Sequence, residues 1–278
     1  MKKRMTSVIC IIAAVTCLGE GKKDTESFRK TVEFFASGPH YLATENEDYV
    51  PQALKKQAGK YNLTREEAVA EMCSMAREYR RLSEDTSEKV TERMRQLGRM
   101  RLSAVLGFLG RLGDRSALPL FEEMTGASNG STRVYAVRAY IRVAGVDAVP
   151  FIIRMLEDTR LNSVDRWEIY ETFGKQIESA KQKGNINIEH CQRFLLEQTG
   201  KEHTGDGAKQ LDIVLSRTLP DYTNSLQRME AAEWFIQNGS DYHKSYFGKI
   251  KTEIEKTPKE KRKDFKARGE LLDPDRGK

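Results

Sequence analysis

The residue types best suited to acid–base or metal chemistry are sparse in this chain and poorly spaced for it. The histidines are His40, His190, His203 and His243. None belongs to a His-Glu-x-x-His run, and none has a ligand-type residue four positions on, the spacing that sets two ligands on one helix face. His190, Cys191 and His203 together offer three metal donors. Structural zinc sites, however, take four ligands at tight, paired spacing, and Cys191 suits an apolar helix face better. Gly107, Gly110 and Gly113 recur every third residue, but no strand precedes them and no Gly-Lys-Ser/Thr follows, so they read as helix packing and a helix stop rather than a phosphate cradle. The acidic pairs Glu66-Glu67 and Glu122-Glu123, and Asp221 with Glu230, read as helix starts or solvated faces. The expectation is therefore no catalytic residue, no metal and no cofactor. Trp167, Tyr170, Phe173, Trp234 and Phe235 follow helical spacing and are expected in the core, with Trp167 or Trp234 becoming a stacking platform for a ligand if its ring faces solvent.

The elements that must position these residues are helices. Of 278 residues, 38% are apolar and 32% charged. That balance fits amphipathic helices better than a sheet buried on both faces. The N-terminus has the form of an export signal: Lys2, Lys3 and Arg4, then the uncharged apolar stretch Thr6 to Leu18, then Cys17 and Gly19 placed for cleavage before Glu20. The stretch is 13 residues, short of the roughly 17–25 that span a bilayer. A lipid anchor at Cys17 is the weaker alternative. Three of the six excess positive charges lie in that segment, so the mature chain carries +3, which argues against a nucleic-acid partner. Removal of the signal leaves Cys73 and Cys191, expected as separate buried thiols rather than a disulfide.

Local signals place the helices. Phe28 to Phe35 precedes the stop Gly38-Pro39, and Pro51 is suited to a first helical turn. Thr64-Arg-Glu-Glu67 is a capping box, and Ala68, Met72, Met75, Ala76 and Tyr79 then mark a helix over 65–82. Residues 88–112 carry the same periodicity, with Gly98 expected to divide them into two helices. Further helices are expected at 117–125, 132–144, 148–157, 164–180, 188–198 and 208–219, with 126–130 and 200–207 as loops and 256–278 as a charged, frayed tail.

Two segments match. Arg101-Leu-Ser-Ala-Val-Leu-Gly-Phe-Leu-Gly-Arg-Leu-Gly113 is answered by Arg133-Val-Tyr-Ala-Val-Arg-Ala-Tyr-Ile-Arg-Val-Ala-Gly145 at an offset of 32. Each leads into Ala-apolar-Pro, at Ala117 and Ala148. Arg228-Met-Glu-Ala-Ala-Glu-Trp-Phe-Ile echoes the pattern, and Arg166 starts a weaker copy. A period of this length marks stacked helical hairpins, each too small to bury its own apolar face. Gly110 to Phe121 and Ala148 to Asp158 resemble the short bacterial form of the HEAT repeat, with its Ala-rich first helix, Leu-Gly-Asp turn and Ala-apolar-Pro start of the second helix. The resemblance covers about 100–158 clearly and extends faintly to 255. Its charge ladder is absent in the usual form, because Arg101-Leu102 and Arg133-Val134 reverse the family's Val-Arg order and no Asp stands just before them.

The resemblance implies an all-α fold, an α-α superhelix of the HEAT/armadillo helical-hairpin type. The expected organisation is a signal over 1–19, a helical cap or subdomain over 20–98, repeats over 99–255 and the tail over 256–278. The implied function is an exported scaffold, periplasmic or extracellular, that holds a protein or peptide in a concave groove lined by second helices, with Glu122, Glu123, Arg154 and Glu157 as the contacting residues. No membrane span is expected after cleavage. The alternatives are an extracytoplasmic enzyme and a structural component of the cell envelope.

Overall fold

Helix starts are set by polar caps. In the computed structural model, which describes residues 22–37, 49–184 and 188–265, Thr64 and Glu67 exchange the two bonds of the expected capping box. Thr91, Asn129, Asn162 and Ser225 each accept a backbone N–H from the first turn of the helix that follows. Such caps satisfy amides that have no partner inside a helix. The helices are α1 (Thr25–Ser37), α2 (Tyr49–Lys60), α3 (Arg65–Glu84), α4 (Glu92–Leu112), α5 (Leu118–Met124), α6 (Gly130–Ala144), α7 (Val149–Leu156), α8 (Ser163–Gln182), α9 (Ile188–Gln198), α10 (Gly205–Thr218), α11 (Leu226–Asn238) and α12 (Asp241–Glu255). Among the described residues no strand forms; an isolated bridge joins Ser225 to Lys263. The fold is all-α. The expected signal segment and His40 lie outside the described residues.

The chain divides between Ala117 and Leu118 into two units. In the first, α3 lies along α4, with α1 and α2 against them. Phe28, Val32, Met72, Met75, Leu102 and Leu106 are buried at its centre. Gly98 does not divide α4. It is where α4 crosses α3, and a Cβ there would stand 3.1 Å from the Tyr79 carbonyl and 3.2 Å from the Ser83 amide. The helix runs on to Gly113, whose φ of 67° is the left-handed stop that glycine adopts freely. Arg29 on α1 bridges to Glu71 and Glu78 on α3. The Tyr79 hydroxyl donates to Glu33, and burial together with the Glu33 charge pushes its pKa up.

In the second unit α6 packs on α8, and α8 on α10. Val137, Ile141, Ile152, Ile169, Phe173, Leu195, Leu211 and Leu215 belong to one buried cluster. Tyr140 stacks on Phe151 at 3.8 Å between ring centroids. Charges tie neighbouring helices: Arg138 on α6 meets Glu168 on α8 at 2.7 Å, and Arg154 on α7 meets Glu122 on α5 at 3.3 Å. The last hairpin, α11 with α12, has its own small core of Met229, Ala232, Phe235, Phe247, Ile250 and Ile254.

Two further expectations are corrected. The loop expected over 200–207 ends early, because α10 already begins at Gly205. The expected frayed tail is held as far as Phe265. The Leu226 amide donates to the Lys263 carbonyl, Gln227 bonds both Asp264 and the Phe265 amide, and Phe265 is 3% exposed within the main cluster. The buried ring and these hydrogen bonds together anchor the segment. Both cysteines are free and buried. Cys191 lies against the Val146 carbonyl, and burial followed by the Asp147 charge pushes its thiol up to about 12.

Candidate functional site

The repeated arginine does a structural job. Arg133 stands four places after the cap Asn129, and its guanidinium reaches back to the carbonyls of Ala127 and Ser128. Arg166, four places after Asn162, donates to the Leu156 carbonyl. Arg228, three places after Ser225, donates to the Thr223 carbonyl. Arg95, four places after Thr91, does the same to Val90. At these four helices the arginine pins the preceding loop onto the helix, whereas Arg101, which opens the first copy, lies inside α4 and donates to Ser37 on α1 instead.

Two of these arginines also hold buried carboxylates that periodicity does not announce. Glu202 is 4% exposed. It pairs with Arg166 at 3.4 Å and accepts the Tyr170 hydroxyl at 3.1 Å. It also accepts the amide and hydroxyl of Thr204, which leaves the α10 cap without its side-chain bond. Asp212 is 3% exposed. Arg228 grips it through two bonds of 2.8 and 3.0 Å, and the Tyr246 hydroxyl adds a third at 3.1 Å. Burial, then the neighbouring carboxylate, pushes Tyr170, Tyr222 and Tyr246 up. Burial pulls the Arg228 guanidinium down, but its bonds to Asp212 outweigh that and its pKa rises. Both carboxylates border one void of about 10 Å³, room for a single water at most. They are saturated anchors rather than a reactive pair. Asp212 left a trace in the sequence, since it occupies the apolar face of α10 between Ala208, Leu211 and Leu215.

Glu202 also walls an open cleft of about 530 Å³ framed by the end of α9, residues 199–203 and α11. Trp234 lines it and is 37% exposed. Its indole is steadied by Phe235 at 4.7 Å between centroids, and Phe235 in turn stacks on Phe247 at 4.4 Å. The exposed His203 ring lies 5.1 Å from the indole. Glu197, Glu230 and Lys201 supply the other charges of the lining. Lys201 and Glu202 also border a hollow of about 210 Å³ lined by Ile153, Glu157 and Arg166. The two concavities therefore adjoin. Of the two tryptophans, Trp234 faces solvent as a stacking platform requires, while Trp167 is half-buried.

The four expected contact residues are all exposed. Arg154 is paired with Glu122 and lies over the Phe151 ring at 5.7 Å. Glu157 borders the smaller hollow. Glu123, beside Glu122, lines neither concavity. His190 and Cys191 face opposite ways, one exposed and one buried. Among the described residues no cluster of three or more His, Cys, Asp or Glu is placed to hold a metal, and no helix is long and apolar enough to cross a membrane. Gly126-Ala-Ser-Asn-Gly130 spells the letters of a nucleophile elbow. An elbow needs a strand before the serine; here α5 precedes it, Asn129 caps α6, and the Ser128 carbonyl receives Arg133. Comparison with family models, with curated proteins and with solved structures finds no significant match for the chain.

Proposed function

We propose that the chain is an exported helical-repeat binding protein that holds an extended segment of a partner protein in the cleft between the end of α9 and α11 and in the hollow beside α7, with Trp234 on α11 as the anchoring contact. The observation that carries this reading is a partly exposed indole in a large open cleft, next to a second hollow that contains Glu157. Exposed tryptophan in a concave setting is the residue most enriched at binding hot spots. The resemblance of residues 100–158 to short HEAT repeats and the apolar leader before Glu20 support the same reading, since such arrays usually present a surface to a partner.

The test compares the mature chain with Trp234→Ala and with Arg154→Glu, each checked for an unchanged melting transition, in capture of partners from the extracytoplasmic fraction of the source cell. Wild-type chain should retain a defined set of proteins. Trp234→Ala should lose them by tenfold or more, and Arg154→Glu by a smaller factor. An identical set held equally by Trp234→Ala would remove the cleft from the function.

A further inference from the structure

The first unit contains a pocket of a different kind, remote in sequence from the cleft. It measures about 330 Å³ and opens among α1, α2, α3 and the end of α4. Phe28, Leu54, Leu63, Val69 and Met72 form its wall, and each of these side chains is buried. Ligand pockets are commonly about 300–1,000 Å³, largely apolar, with a few polar groups that fix orientation. Among the described residues, the charged side chains that line this one are Lys55 and Arg65, both exposed.

The two cations are differently prepared. Arg65 is fixed in place by Asp114 at 2.9 Å and by the Leu112 carbonyl at 3.0 Å. A guanidinium has five N–H donors, so others stay open to an incoming oxygen. Lys55 has no carboxylate partner among the described residues, and α2 carries Lys55, Lys56 and Lys60 without an acidic residue. An oily chamber whose charged lining residues, among those described, are both basic complements one class of molecule: an alkyl chain that ends in an anion.

The geometry points to a binding site for a free, medium-chain monocarboxylate, its hydrocarbon tail among Phe28, Leu54 and Met72 and its carboxylate between Lys55 and Arg65. At roughly 30 Å³ per liquid water, the chamber displaces about 11 waters, which suits a chain of about ten carbons.

Isothermal titration of the full chain with sodium decanoate, below the concentration at which it forms micelles, tests the assignment. Saturable 1:1 binding is expected. Octanoate should bind more weakly by about fourfold for each methylene removed. Lys55→Gln should weaken decanoate at least fivefold and leave decan-1-ol unchanged, while Ala68→Phe, which fills the chamber, should abolish both. If Ala68→Phe loses its cooperative melting transition, Lys55→Gln and the chain-length series decide the matter. No saturable decanoate binding, equal affinity for decan-1-ol and decanoate, or an unaltered affinity in Lys55→Gln would each overturn the assignment.

Discussion

Residues 130–160 and residues 190–230 build the same kind of object, a helix pinned by an arginine and packed on its neighbour, from different interiors. Around α6 and α7 the buried positions are almost wholly apolar, with Thr132 and Arg133 as the polar members. Around α9, α10 and the start of α11 the interior takes in Gln192, Gln198, Glu202, Gln210, Asp212, Thr218, Ser225 and Gln227. Arg133 closes its loop on carbonyl groups alone, whereas Arg166 and Arg228 each complete a buried ion pair. One architecture therefore tolerates two means of filling its seam. The apolar one depends on shape, and the polar one on every partner being present.

The largest expected effect separates the two interiors directly. Ala136 is fully buried in α6, and Ala136→Asp would place a lone carboxylate there. That should cost more than about 4 kcal/mol, seen as loss of the unfolding transition in the second unit. An unchanged melting curve would show that α6 does not sit in an apolar seam. Asp212→Ala strands Arg228 in the polar half and should cost about 3–5 kcal/mol in denaturant unfolding. A cost below about 1 kcal/mol would mean that water reaches the guanidinium. Arg133→Met keeps the packing of the stem but leaves two carbonyls unanswered. It should cost about 1–2 kcal/mol, clearly less than Asp212→Ala.

The smallest effect depends on pH. Bonds from Arg160 hold Asp158 at about 2, below its ordinary 3.8. Its folded pKa is depressed, so its contribution is complete above about pH 4 and fades as pH falls toward 2. Arg160 is largely exposed, so solvent screening keeps Asp158→Asn under about 1 kcal/mol at pH 7. The variant and the wild type should converge only as pH falls below 2; a constant difference across that range would assign the effect to the backbone instead.

The same contrast explains what could be read before the fold was known. Helices 65–84 and 130–156 were legible because their caps are polar, their core faces apolar and their turns marked by Gly113, Gly145 and Pro150. Between 188 and 222 polar residues occupy core positions and break the apolar period, so the repeat is not legible there. Gly98 was misread as a stop, since its role is a crossing with a helix far away in sequence. Of the cleft, the aromatic character of Trp234 was visible. Its exposure depends on how α11 meets the 199–203 segment, which no local pattern encodes. Glu202 gave no signal at all, because the arginine and tyrosine that hold it are more than 30 residues away.

Phe265 gives the segment after α12 a vulnerability of its own. The peptide between Ile254 and this buried ring carries Lys256, Lys259, Lys261, Arg262 and Lys263, the residues after which trypsin-like proteases cut. One incision there would free the aromatic plug from the rest of the chain and leave a gap in the apolar interior that received it. Cutting in this stretch then follows how often it lifts from the core, a local event distinct from the melting of any helix.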